Sequence, residues 1–207
     1  MTLEQKQEYK KISDQVDADL GSIFEEFTKA YEKVGTDEAL TRVRLLLAFS
    51  MLEVICTVYN VYYDLKLQNR KLLGKWVESY CFVEKNSVYK NHPYFKQMTP
   101  DHLYKFRNAI IHALALPEPE NGVSVTSPGG GDDASDKIKK LYEGFLNKGH
   151  KVLFISPDSL MKLFIKGFEL LHPEIFISPD LVNEIQMEGI KRVSKETQRR
   201  GAKPIAI

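Results

Sequence analysis

The chain has 207 residues, 43% of them hydrophobic, and a formal net charge of +1. That length fits one domain with extensions, or at most two small ones, and the hydrophobic share is enough for a substantial core. The near-neutral balance excludes a global polyanion-binding surface, so any contact with nucleic acid has to come from a local patch.

Residues 3–34 read as one long amphipathic helix, with Ile12, Val16, Leu20, Ile23, Phe27, Tyr31 and Val34 at helical spacing and Gly35 placed to end it. Its other face is charged, as expected of a helix packed on a bundle. Thr36, followed by Asp37 and Glu38, reads as the start of a second helix running to about Leu67. That helix is apolar nearly all round, which makes it the central helix of the core. Arg42, Ser50, Glu53, Thr57, Asn60 and Asp64 share a narrow angular band on it. The band is either a solvent-facing edge or a polar strip facing a cleft. Glu53 stands out in it, because a carboxylate among aliphatic side chains needs a partner. The most apolar run, Leu45 to Val58, is interrupted by Ser50, Glu53 and Thr57 and is short for a bilayer span. The polar N-terminus shows no signal peptide. Cys56 and Cys81 lie in apolar helical surroundings and read as structural thiols of a reduced, cytoplasmic protein.

A third helix is expected over about 69–85, then a loop through Asn91-His92-Pro93. Thr99 and Pro100 open the next helix, with Asp101 near its positive end, and it stops before Pro117. Leu103, Phe106, Ile110, Ala113 and Leu114 form its apolar stripe. Arg107 borders that stripe, Asn108 sits farther round, and His112 falls on the far side. Tyr104 and Ile111 lie between Arg107 and the Asn108–His112 line, so this back face suits a covering helix or a second subunit.

After Pro117 the character changes. Val123–Thr126 alternates as a short strand, and Lys151–Ile155 is its natural partner. Between them the glycine-rich segment 127–133 has loop composition, and Asp136 can cap a helix to about Asn147. Ser156-Pro157-Asp158 starts a helix to about Leu171, and a matching Ser178-Pro179-Asp180 starts another to about Arg200. Lys191, Arg192, Lys195, Arg199, Arg200 and Lys203 make the end basic, as a solvated helix end or as an RNA or phosphate contact.

The Arg107-Asn108-x-x-x-His112 pattern, late in a helix and downstream of an apolar helix bearing Glu53, resembles the motif of the HEPN superfamily. The resemblance covers about 36–116, with the N-terminal helix able to join it. It implies a mostly α fold: a HEPN-like helical bundle over 1–116, with a C-terminal extension over 117–207, a short β pair plus helices, packed on the same domain. HEPN domains commonly dimerise with their motif helices facing each other, and many are metal-independent endoribonucleases of defence or toxin–antitoxin systems. The resemblance therefore implies an RNA substrate, a homodimer held at Tyr104 and Ile111, and no cofactor or metal. Arg107 would neutralise the scissile phosphate, His112 would act as general acid or base, Asn108 would position the motif or the phosphate, and Glu53 would orient the arginine or histidine. The products would be a 2′,3′-cyclic phosphate and a 5′-hydroxyl.

Two other readings compete. His112 can be a surface or capping histidine near a helix C-terminus, and Arg107 can form a structural ion pair with Glu53. The chain would then be a non-enzymatic HEPN module for dimerisation or nucleotide binding, partnering another protein such as a nucleotidyltransferase; for the ribonuclease reading the partner would be an antitoxin. A small-molecule site near His92, Tyr94 and His102 is the third, without a nucleophile–base pattern, phosphate loop or metal-ligand spacing behind it.

Overall fold

The computed structural model describes residues 1–35, 40–113, 123–126 and 151–201, together with positions 143, 147 and 149. The described residues are mostly helical, as the spacing predicts. Helix α1 runs Leu3–Val34 and opens with a capping box: Thr2 accepts from the Gln5 amide and Gln5 accepts from the Thr2 amide. It ends at Gly35, whose φ of 68° suits glycine. Helix α2 runs Thr41–Tyr62 and is the axis of the fold, with α1 and four later helices packed around it.

Both ends of α2 differ from the sequence reading. The start signal at Thr36–Glu38 lies outside the described residues, and α2 begins at Thr41. At the other end the helix stops at Tyr62 rather than Leu67. Asp64 and Lys66 take φ of 51° and 52°, and the Asn60 side chain clamps the backbone N–H and C=O of Leu67, both at 3.1 Å. Helix α2 is 22 residues long and holds an 18-residue stretch of mean hydropathy 1.7, enough by length and composition to cross a membrane, which the 14-residue run alone did not suggest. Here other helices cover about half of that stretch, with Leu45, Ala48, Phe49 and Leu52 fully buried.

The third segment is not one helix. Helix α3 covers Asn69–Trp76 and passes into a π turn at Val77–Cys81, where the Phe82 amide reaches back five residues to the Val77 carbonyl at 2.8 Å. The segment read as a loop then holds a short helix α4, Ser87–Asn91, and a 3₁₀ turn at Phe95–Gln97. Helix α5 is Pro100–Ala113, opened by a reciprocal cap between Thr99 and His102 at 3.2 Å each way. Leu103, Phe106 and Ile110 are fully buried, so the expected stripe faces the core.

Strands β1, Val123–Thr126, and β2, Lys151–Phe154, pair as expected, in parallel and in register from Val123–Lys151. The helix read from Asp136 to Asn147 lies outside the described residues. Helix α6, Pro157–Ile175, begins where the first Ser-Pro-Asp puts it, with Ser156 accepting from the Ser159 amide at 3.1 Å, and runs one turn past Leu171. Asp158 in its first turn accepts from buried Arg44 of α2 at 2.5 Å and from Tyr31 of α1 at 2.8 Å, tying three helices together. The second Ser-Pro-Asp starts no helix. The Leu181 amide closes a turn onto the Ser178 carbonyl, and helix α7, Glu184–Gly201, is capped instead by Asn183 and Gln186 in a reciprocal pair at 2.9 and 3.1 Å. Helices α6 and α7 pack directly on α1 and α2 and share one continuous apolar core with them.

Candidate functional site

The packing of α5 on α2 sets the site. Phe106 meets Phe49 edge-to-face, ring centroids 5.5 Å apart, on the buried side of both helices. One step round α5 from Phe106, Arg107 emerges from the core edge and forms an ion pair with Glu53 of α2. Glu53 is exposed, as a solvent-facing edge of the polar band has it, and it also rims a cleft. The Arg107 side chain is 17% exposed and that of Glu53 46%. Arg107 Nη1 also donates to Asn108 Oδ1 at 2.6 Å, so the guanidinium is held from two sides. Partial burial lowers the Arg107 pKa from its ordinary value, which starts high enough that the group stays cationic.

This pair stands at an open cleft of about 260 Å³. Leu52, Cys56, Leu72 and Leu73 give it an apolar floor, and Glu53, Thr57, Asn69, Tyr104 and Arg107 give it a polar rim. Burial pushes the Cys56 thiol well up, so it contributes packing rather than a thiolate. Asn69 adopts φ of 33°, a left-handed backbone that asparagine tolerates better than most residues. Sequence periodicity did not single out Asn69, and its one signal was an asparagine at a helix start. Thr57 was in the polar band, and its hydroxyl donates to the Glu53 carbonyl at 2.8 Å.

The structure thus brings Glu53, Tyr104, Arg107 and Asn108 together. It does not bring His112 with them. His112 is exposed in the last turn of α5 and lines no part of the cleft. Five residues of helix separate it from Arg107 by about 7.5 Å along the axis and about 140° around it. Ile111 and Tyr104 are half-buried and pack against the core.

The third grouping does not converge. His92 stacks on Phe95 at 4.0 Å and accepts from the Tyr94 amide, His102 caps α5, and Tyr94 packs on Phe154. Much of the basic C-terminus is tied down as well. Lys191 pairs with Glu8 at 3.0 Å, Arg199 pairs with Glu196 at 2.8 Å, and Arg192 caps the end of α2. Among the described residues no three His, Cys, Asp or Glu side chains gather closely enough to hold a metal ion. No family model, curated protein or solved structure matches the chain.

Proposed function

We propose that the chain is a HEPN-type endoribonuclease that cleaves RNA without a metal ion, working as a cytoplasmic homodimer of the defence or toxin–antitoxin kind. The observation that carries the reading is Arg107, a cation held at the rim of an open cleft by Glu53 and Asn108 on the helix that also bears His112. A guanidinium offers a planar fork that fits phosphate oxygens, and a fixed one stabilises the charge that develops on them. Glu53 holds the fork in place before the phosphate arrives.

In the reaction a base takes the proton of the ribose 2′-hydroxyl, whose oxygen attacks phosphorus. The P–O5′ bond breaks, and an acid returns a proton to the leaving 5′-oxygen. A 2′,3′-cyclic phosphate and a 5′-hydroxyl result. Histidine titrates near neutrality and serves either proton step. Because His112 faces away from its own cleft, it acts from a second copy, with α5 set against α5 and Tyr104 and Ile111 at the contact. The complete site is then shared across the dimer.

Purified protein should cleave single-stranded RNA in the presence of a chelator. His112→Ala and Arg107→Ala should each lower the rate by at least about 100-fold, the scale of a lost proton-transfer group for the first and of a lost charge-stabilising donor for the second, with the dimer unchanged by light scattering. Equal cleavage by both variants and the parent sinks the assignment. The second reading, a non-enzymatic module partnering another protein such as a nucleotidyltransferase, draws on the same ion pair. Arg107 is already neutralised by Glu53, and His112 stands outside the cleft. A stable dimer inactive on every RNA tried supports that reading instead.

A further inference from the structure

A second, larger cleft of about 530 Å³ opens where α2 and α6 end and α7 begins. Its size is in the range of small-molecule sites. Tyr62 and Tyr63 form one wall, their rings 4.9 Å apart and nearly perpendicular. Glu174, in the last turn of α6, sits beside them. Its Oε2 accepts from the Tyr63 hydroxyl at 2.7 Å and from the Tyr80 hydroxyl at 2.8 Å. Among the described residues no lysine, arginine or histidine pairs with this carboxylate. Burial and the adjoining carboxylate raise the pKa values of Tyr63 and Tyr80, so both hydroxyls remain donors to Glu174.

We propose that this cleft binds a small organic cation, an alkylammonium or alkylguanidinium, with the charge between Glu174 and the face of Tyr63 and the alkyl body along Ile177 and Ile185. Three features point to that chemistry. Tyr63 is 38% exposed and its hydroxyl meets Glu174, so an aromatic ring stands beside the carboxylate where a cation can approach it. A carboxylate anchored by hydroxyls rather than by a basic side chain keeps its full charge for a ligand. The C-terminal end of α6 lies at the cleft and adds negative potential. Arg192 lines the cleft too, but its Nε and Nη2 donate to the Val61 and Tyr62 carbonyls at 3.0 and 2.7 Å. Its charge faces the negative end of α2, and Glu184 opposes the positive start of α7. The aliphatic wall is built for contact: Ile185 is 78% exposed.

The proposal is independent of the ribonuclease reading, since neither Arg107 nor His112 takes part. The test is calorimetric titration of the full chain with agmatine, with butyrate and 1-butanol as the anionic and neutral counterparts. Agmatine should bind saturably, one per chain, and the other two should not. Glu174→Gln should weaken agmatine about tenfold, the scale of one lost charge-assisted contact. Tyr63→Leu should do the same, whereas Tyr63→Phe, which keeps the ring face, should retain most of the affinity. Ile185→Arg, at an exposed position that leaves the fold intact, should block binding by like charge. No saturable binding of agmatine below about 10 mM, equal binding of butyrate, or affinity unchanged by both Glu174→Gln and Ile185→Arg overturns the proposal.

Discussion

Asn86 is fully buried and uses its whole side chain. Its amide nitrogen donates to the Tyr80 carbonyl at 3.1 Å and the Leu163 carbonyl at 3.2 Å, and its oxygen accepts from the amides of Val88 and Tyr89. One residue therefore caps α4, closes the end of the π turn and ties both to α6. Asn86→Asp keeps the two accepted bonds but sets a carboxylate oxygen against two carbonyls. It should destabilise the fold by about 3 kcal/mol or more, the loss of two buried bonds plus the desolvation of an unpaired charge. The urea midpoint measures this, and an unshifted midpoint would show that the buried network carries no stability. Residues of this kind are not legible in a sequence. Arg107 and Glu53 were, because helical spacing alone puts one at the edge of a stripe and the other on a polar band. Asn86 and Asn69 lie at element boundaries, where the partner is set by tertiary packing rather than by period. His112 was legible as a far-side residue, and the structure puts it there; its role in a shared site is a separate proposal.

At the scale of elements, the two Ser-Pro-Asp segments show where local signals stop deciding. Ser156 caps α6 because the following residues carry an apolar stripe that the core can bury: Leu160, Met161, Leu163 and Phe164. Ser178 is followed by exposed Leu181, and the chain waits until Asn183, with Gln186 three residues on, to start α7. The π turn was invisible for a similar reason. A five-residue hydrogen bond leaves the apolar pattern of 69–81 helical while shifting Trp76 and Cys81 against Gly167 of α6. Helix contacts also divide the glycines. A Cβ at Gly189 of α7 would come within 2.9 Å of the Tyr62 ring and 3.0 Å of the Tyr62 carbonyl. That ring cannot swing aside, since its hydroxyl donates to the Glu174 carbonyl at 3.0 Å. Gly189→Ala should thus cost about 1–3 kcal/mol, more than the gain in helix propensity of about 1 kcal/mol. A Cβ at Gly21 of α1 meets nothing within 4 Å, so Gly21→Ala should stabilise by up to about 1 kcal/mol. Thermal melts of the two variants should move in opposite directions; a rise for Gly189→Ala would mean that α7 can step back from α2.

The whole molecule is organised by α2, and that much the sequence states, since a helix apolar nearly all round reads as the central helix of a core. What it leaves open is which polar groups that burial takes along. Five tyrosines on α1, α2 and the π turn pack around α2 and α6: Tyr31, Tyr59, Tyr62, Tyr63 and Tyr80. Burial raises the pKa of each, that of Tyr62 to about 12. In the unfolded chain the same phenols titrate near 10. The folded state therefore holds its protons more tightly, so these groups contribute stability that is fully present below pH about 10 and is lost as pH rises toward the folded value. Lysine deprotonation begins in the same range, but the lysine pairs are at the surface, as with Lys29–Glu25 and Lys166–Glu169, and contribute little each. The cations with inward partners are arginines, Arg44 and Arg107, which stay charged there. The urea midpoint should accordingly be level from neutrality to pH about 10 and fall steeply above it, with the share of tyrosinate absorbance that these five contribute rising in step with unfolding rather than ahead of it. Tyr62→Phe should blunt the fall, although it gives up the bond to the Glu174 carbonyl. Ionisation of Tyr62 near pH 10 with the fold still intact, read as the difference between the parent and Tyr62→Phe, would mean that water reaches its hydroxyl and that the α2–α6 contact is looser than its hydrogen bond requires.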